Sequence, residues 1–335
     1  MPASFNDLAV EIVEEIINIL DPPDEVPDRL TLAGLNRTSK SLNALTTWRL
    51  YRAPRYRYSN WPLFARTVMA RPDLAGLVKD LYFYGTKWDD PLDPEKFPEE
   101  VATYYLKHLY PNFSLPLTND DPDNVETLFT ADADGEDKAY VEMDFILSFC
   151  WRSVETVFVN LMLCHQAFNL LRIDPPTSLP ALKSLCFGYI DAVTGWALDH
   201  DLPVTLGLLK AAAPNLTRLE VCRVNTYIEL DFVLEKVTEL VIRYSAMKPE
   251  AFGMLLSLVP NVEKLVYEGG ANFADEWDQF DPPEALIQIT EHCPKLKSFK
   301  MDMSQDMCGE YISNSQLEDM AREFAGRGIE ATLIL

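Results

Sequence analysis

The sequence predicts an α/β chain, with a small helical unit at the N-terminus followed by strand–helix repeats. Residues 5–52 hold three short segments of helical apolar periodicity, and the chain beyond them repeats a short apolar motif with a proline at a fixed offset. A length of 335 residues at 48% hydrophobic is enough to bury one elongated core plus a small one.

The first segment places Leu8, Ile12, Ile16 and Leu20 four apart, with Val13 and Ile17 beside them. That spacing is one broad apolar stripe on a helix. Asn6 or Asp7 is placed to cap its start, and Asp21-Pro22-Pro23 ends it, because proline cannot continue the backbone ladder. Pro27-Asp28 opens a second helix carrying Leu30, Leu32 and Leu35. A third begins near Thr38 or Ser39, carries Leu42, Leu45 and Trp48, and runs out through Leu50-Tyr51-Arg52. Three helices this short cannot bury all these faces on one another. The spare apolar surface either joins the core of the following domain or faces a partner.

Residues 5–52 resemble an F-box. Leu8-Ala9-Val10-Glu11-Ile12 matches the family's Leu-Pro-x-Glu-Ile/Leu, with Ala9 in place of the proline, a change that removes only pre-organisation of the first turn. Ser39-Lys40-Ser41-Leu42 and Leu50-Tyr51-Arg52 match the family's serine–lysine pair with its leucine and its terminal Leu-Trp/Tyr-Arg. Asp21-Pro22-Pro23-Asp24 is typical of the loop in fungal members. The resemblance implies docking to a Skp-type adaptor, and through it to a cullin. The implied adaptor-binding side chains are Leu8, Ile12, Ile16, Leu20, Leu35, Leu42, Leu45, Trp48 and Tyr51. The expectation is an apolar surface, with Leu8, Ile12, Ile16, Leu35, Leu42 and Trp48 left exposed in the isolated chain.

The net charge of −23 is unevenly spread: residues 1–60 carry seven Lys/Arg against eight Asp/Glu, so nearly all the excess lies beyond them. That balance argues against nucleic acid and anionic membrane as partners, since both repel it. The basic aromatic run 49–58, with four Arg and three Tyr, reads as a solvated strand or helix exit. The six cysteines are scattered without a CxxC pair, and the four histidines form no ligand set, so reduced thiols in an intracellular protein and no metal are expected. The N-terminus lacks the basic-then-apolar order of a signal peptide, and no apolar run reaches the roughly eighteen residues of a membrane span. A cytoplasmic or nuclear location follows as an expectation.

Residues 53–85 read as a linker helix and a first repeat strand. Within them, 61–70 forms the helix with Leu63, Phe64, Thr67 and Val68 inward, Arg71-Pro72-Asp73 breaks it, and 81–84 is an apolar strand. Residues 86–144 hold sixteen Asp/Glu against four Lys, together with Pro91, Pro94, Pro98, Pro111, Pro116 and Pro122. This composition predicts a partly disordered acidic insertion over 86–142. Residues 130–141 resemble a calcium loop at Asp132, Asp134 and Gly135, but Thr130 and Val141 occupy the positions that need an acid and a bidentate glutamate.

From 143 to 335 the chain repeats. Pro180-Ala181-Leu182-Lys183-Ser184-Leu185, Pro214-Asn215-Leu216-Thr217-Arg218-Leu219, Pro260-Asn261-Val262-Glu263-Lys264-Leu265 and Pro294-Lys295-Leu296-Lys297-Ser298-Phe299 share one pattern, each followed by a further apolar residue two places on. The stretches beginning at Val78, Val154 and Val237 fit it without the proline. Helical patterns fall at 143–151, 195–213, 249–259, 283–293 and 315–326, and a last strand at 331–335. These units resemble leucine-rich repeats of the irregular kind, which implies a strand–helix solenoid; an ordinary α/β domain of βα units remains the alternative.

In a solenoid, the positions between the apolar ones face the concave side. The expected target-binding residues are Tyr82, Tyr84, Phe158, Asn160, Arg218, Glu220 and Arg243, with Asp80, Thr156, Glu239, Lys264, Glu268, Lys300 and Asp302 on the same face. Tyr82, Tyr84 and Phe158 are the expected hot spot, aromatics being the usual anchors of an interface.

No GxSxG, GxxxxGK[ST], helix-opening GxGxxG or HExxH occurs, and glycine numbers only thirteen. No catalytic residues, cofactor or enzymatic activity are expected. With the F-box resemblance, the sequence implies the substrate-receptor subunit of a Skp–cullin–F-box ubiquitin ligase, presenting an unidentified target protein so that other subunits transfer ubiquitin by proximity. The alternatives are an F-box and repeat scaffold acting outside a ligase, and an intracellular hydrolase with a site assembled from distant residues.

Overall fold

The computed structural model describes residues 9–20, 29–54, 61–84, 146–147, 149–160, 179–188, 209–222, 230–245, 247–269, 282–303 and 314–334. The expected caps at Asn6 and Asp7, the expected adaptor contact Leu8, the loop at 21–24 and the expected acidic insertion 86–142 lie outside them.

Three helices open the chain: α1 (Val10–Leu20), α2 (Arg29–Asn36) and α3 (Lys40–Arg52). The last starts where the sequence places it. The Ser39 backbone is extended and its Oγ accepts from the Leu42 N–H at 3.2 Å, satisfying one orphan donor of the first turn. Val13, Ile17, Leu32 and Leu42 form a small core, with Leu20, Leu35, Leu45 and Leu50 packed around it. Polar ties supplement this limited apolar burial. The Asn36 amide donates to the Thr46 and Thr47 hydroxyls at 3.0 and 2.9 Å, and buried Thr46 donates to the Leu42 carbonyl at 2.8 Å. Arg49 reaches the Asn18 side chain at 2.5 Å, fastening α3 to α1.

Helix α4 (Trp61–Ala70) ends at Arg71, and Pro72 begins the single turn of α5 (Pro72–Ala75). Of the four residues expected inward on α4, Val68 is buried, Phe64 and Thr67 are half-buried, and Leu63 is exposed; Ala65 takes the inward place. The helix is turned because Phe64 stacks against Tyr51 of α3, with ring centroids 6.5 Å apart.

Eight strands follow: β1 (Asp80–Tyr84), β2 (Thr156–Asn160), β3 (Ser184–Gly188), β4 (Arg218–Cys222), β5 (Glu239–Arg243), β6 (Lys264–Glu268), β7 (Ser298–Asp302) and β8 (Glu330–Ile334). They form one open sheet in chain order, each strand parallel to the next and in matching register. The fold is therefore mixed α/β. Helices α6 (Pro249–Ser257), α7 (Pro282–His292) and α8 (Asn314–Gly326) lie within a residue or two of their expected bounds. Of the helices expected at 143–151 and 195–213, the described residues include helical 146–147, 149–150 and 209–212.

The repeated motif acquires a physical meaning at the strand entries. The N–H groups of Leu182, Val262 and Leu296 donate to the carbonyls of Leu179, Val259 and Cys293 at 3.1–3.2 Å. Pro180, Pro260 and Pro294 stand second in these turns, where a preset φ helps and no N–H is needed. The residue before each of β1 to β6 then uses its carbonyl twice. Lys79, Glu155, Lys183, Thr217, Thr238 and Glu263 each accept from two successive N–H groups of the next entry, at 2.7–3.1 Å. This identical step fixes the register. It carries the first two motif apolar residues inward at every repeat: Leu182 with Leu185, Leu216 with Leu219, Val237 with Leu240, Val262 with Leu265, and Leu296 with Phe299 are all buried. Each such side chain contributes roughly 1.5–3 kcal/mol, so a change such as Leu240→Ala removes the most where neighbours cannot collapse.

Candidate interaction surfaces

Alternate residues of the strands face away from that core, and parallel pairing aligns them into rows. One row runs Tyr82, Phe158, Cys186, Glu220, Val241, Val266, Lys300 and Thr332, and a second runs Tyr84, Asn160, Gly188, Cys222, Arg243, Glu268, Asp302 and Ile334. Those residues expected on the target face whose side chains are described all fall on this face of the sheet. Tyr82 and Phe158 are half-buried neighbours with ring centroids 6.1 Å apart. Tyr84 and Asn160 pair in register beside them, their side chains lying outside the described set.

The expected charges on this face do not stand free: they neutralise one another. Arg218 Nη2 donates to Glu220 Oε2 at 2.6 Å, Arg243 Nε to Glu220 Oε1 at 2.7 Å, and Arg243 Nη1 to Glu268 Oε2 at 2.5 Å. Lys300 continues the ribbon, 3.8 Å from Glu268 and 3.4 Å from Asp302, and Lys264 pairs separately with Glu239 at 2.8 Å. Burial disfavours the Arg243 guanidinium's charge, but the carboxylates of Glu220 and Glu268 outweigh it and raise its pKa. Tyr244, next to it, holds a left-handed φ of 51°, a conformation costly for a side chain of this size.

At the join between the aromatic and ionic halves lie three groups that the sequence leaves scattered. Cys186, Glu220 and Cys222 bring their Sγ and carboxylate atoms within 4.8 Å of one another. A hydrogen bond with Cys222, then burial, pushes the Cys186 thiol up. Burial alone pushes Cys150 and Cys293 up to about 12. The signal for this cluster was present: the offset rule applied to the Pro180 repeat puts Cys186 on this face, and the next repeat ends on Cys222.

The helical unit presents the second surface. Ile12 is 50% exposed and Trp48 39%, the exposure the sequence leads one to expect of them. Ile16, Leu20, Leu35, Leu45 and Tyr51 are half-buried. Leu42 departs from expectation, being only 5% exposed. The stripe on α1 is turned so that Val13 and Ile17 point inward, and Leu42 closes against them. Two exposed apolar residues were missed, Ile19 on α1 and Leu30 on α2. The Arg49 guanidinium covers one face of the Trp48 ring at 4.6 Å.

The unit is fastened to the sheet. The Lys79 N–H donates to the Arg52 carbonyl at 2.7 Å, and Arg52 Nε lies 3.6 Å from Asp80. The end of α3 thus occupies the place that a preceding strand entry holds elsewhere. Among the described residues no helix is long and apolar enough to cross a membrane. No family model matches this chain, and none of the curated proteins matches it significantly.

Proposed function

We propose that this chain is the substrate-receptor subunit of a Skp–cullin–F-box ubiquitin ligase, acting in the cytoplasm or nucleus. Residues 5–52 dock the Skp-type adaptor, and the repeat domain, an irregular leucine-rich-repeat solenoid, holds the target protein. The observation that carries the reading is the helical unit itself. It closes a small core around Val13, Ile17, Leu32 and Leu42 while leaving Ile12, Ile19, Leu30 and Trp48 exposed, apolar side chains of the kind a partner covers. The sequential parallel sheet, entered by one repeated turn, supports the solenoid assignment. The tie between Arg52 and Lys79 supports the receptor geometry, since it links the helical unit directly to the first strand entry. The chain itself performs no bond-making step in this account.

The test is affinity purification of the full chain and its Ile12→Asp variant, read by mass spectrometry. The intact chain recovers adaptor, cullin and target, whereas the variant recovers the target alone. Recovery of target without adaptor by both forms would point instead to a scaffold outside any ligase.

A further inference from the structure

We propose that Cys186, Cys222 and Glu220 form a binding site for one zinc-class divalent cation on the outward face of the sheet. Their ligand atoms already lie within 4.8 Å of one another. A tetrahedral zinc with sulfur ligands at about 2.3 Å sets its sulfurs roughly 3.8 Å apart. Side-chain rotation covers the difference, so the parallel backbone register need not change. Two sulfurs and one carboxylate select zinc over magnesium or calcium, which demand oxygen shells.

Two further features fit a ligand here. Gly188 is the register partner of Cys222, so β3 places no side chain directly opposite Cys222, and Cys186 reaches its sulfur on the diagonal. Both oxygens of Glu220 are held by arginines, through Arg218 Nη2 and Arg243 Nε. Each oxygen keeps a second lone pair, so these bonds orient the carboxylate as the outer shell of a metal site does.

The charge balance is favourable. Two thiolates and a carboxylate exceed the cation by one negative charge, beside which stand Arg218 and Arg243, the latter shared with Glu268; water completes the fourth position. Binding releases the two thiol protons to solvent and involves no redox step. The cation clamps β3 to β4 where the aromatic half of the face meets the ionic half. This inference does not depend on the ubiquitin-ligase reading.

The test uses the full chain, reduced and metal-free, titrated with cobalt(II) and cadmium(II) and back-titrated with zinc(II). The expected result is one equivalent bound per chain, with a thiolate-to-metal charge-transfer band that zinc abolishes. X-ray absorption on the intact chain is expected to give two sulfur and otherwise oxygen neighbours. Glu220→Gln weakens binding by at least about tenfold, and the Cys186→Ser/Cys222→Ser double variant loses the band. Absence of a stoichiometric band, or a shell with no sulfur or with more than two, overturns the proposal without recourse to any variant. So does a folded double variant that binds as the intact chain does, which would move the site to other cysteines.

Discussion

Glu220 and Arg243 meet across the step from β4 to β5, with Nε 2.7 Å from the carboxylate oxygen, although the register partner of Glu220 is Val241. The pair is diagonal, and Arg243 thereby also reaches Glu268 on the following strand. Arg218, Glu220, Arg243, Glu268, Lys300 and Asp302 form a ribbon of alternating charge over four strands. The Glu220 side chain keeps only 14% exposure, so its loss leaves two guanidiniums short of a partner. Glu220→Ala is expected to cost about 1–3 kcal/mol, measured by urea denaturation. Its effect and that of Arg243→Ala should fall short of additive in the double variant. A cost near zero for Glu220→Ala would mean that water screens the ribbon.

Acid should weaken the strand entries through Glu155. Its carboxylate bridges Lys183 and Lys79 at 3.0 and 3.1 Å, and the hydrogen bonds from these lysines lower its pKa. A carboxylate depressed in the folded state contributes stability that is fully present above its unfolded pKa. That stability fades as pH falls through the folded value. The group is about a third exposed, so its share is about 1 kcal/mol or less. Glu155→Gln should be less stable than the intact chain at neutral pH, and the two should converge below the ordinary glutamate range. Unfolding curves at several pH values check this; a gap that widens on acidification would contradict it.

The packing of α6 on α7 predicts a compensating pair. A Cβ at Gly253 would stand 1.9 Å from Gln288 Oε1, the far end of a flexible side chain. Gly253→Ala therefore sets a gain in helix propensity of about 1 kcal/mol against displacement of that amide. Adding Gln288→Ala removes the obstacle, so the double variant should melt at a higher temperature than Gly253→Ala alone. Gly253→Leu should melt well below both.

The aromatic end of the face carries the affinity in this account. Tyr82→Ala/Phe158→Ala should weaken the recovered target by about 2 kcal/mol or more, some thirtyfold, with the unfolding transition of the sheet retained. Unaltered target affinity in the folded double variant would remove these rings as anchors.

The repeat was legible in the sequence because its cause is local. A proline second in a turn, with apolar residues three apart, marks each entry, and the turn hydrogen bonds of Leu182, Val262 and Leu296 follow from it. Parity along each strand was legible for the same reason, so Tyr82, Phe158, Glu220 and Arg243 were assigned to the correct face. Their partners were not legible. Whether Arg243 pairs with Glu220 or stands open depends on a diagonal reach between strands that are far apart in sequence. Cys186 and Cys222 likewise meet only through register. On α1, a stripe four residues wide has two edges, and periodicity does not say which edge turns inward. Packing against Leu32 and Leu42 chose Val13 and Ile17, and left Ile12 and Ile19 outside.

The central claim is that the exposed face of the helical unit binds a Skp-type adaptor. Calorimetric titration of the purified chain with purified adaptor tests it most directly. The account predicts a one-to-one complex that Ile12→Asp abolishes while the unfolding transition of the remainder stays unchanged, because a buried aliphatic anchor of roughly 1.5–3 kcal/mol is replaced by an unpaired charge. No heat of binding for the intact chain, or equal affinity for the folded Ile12→Asp variant, would contradict it.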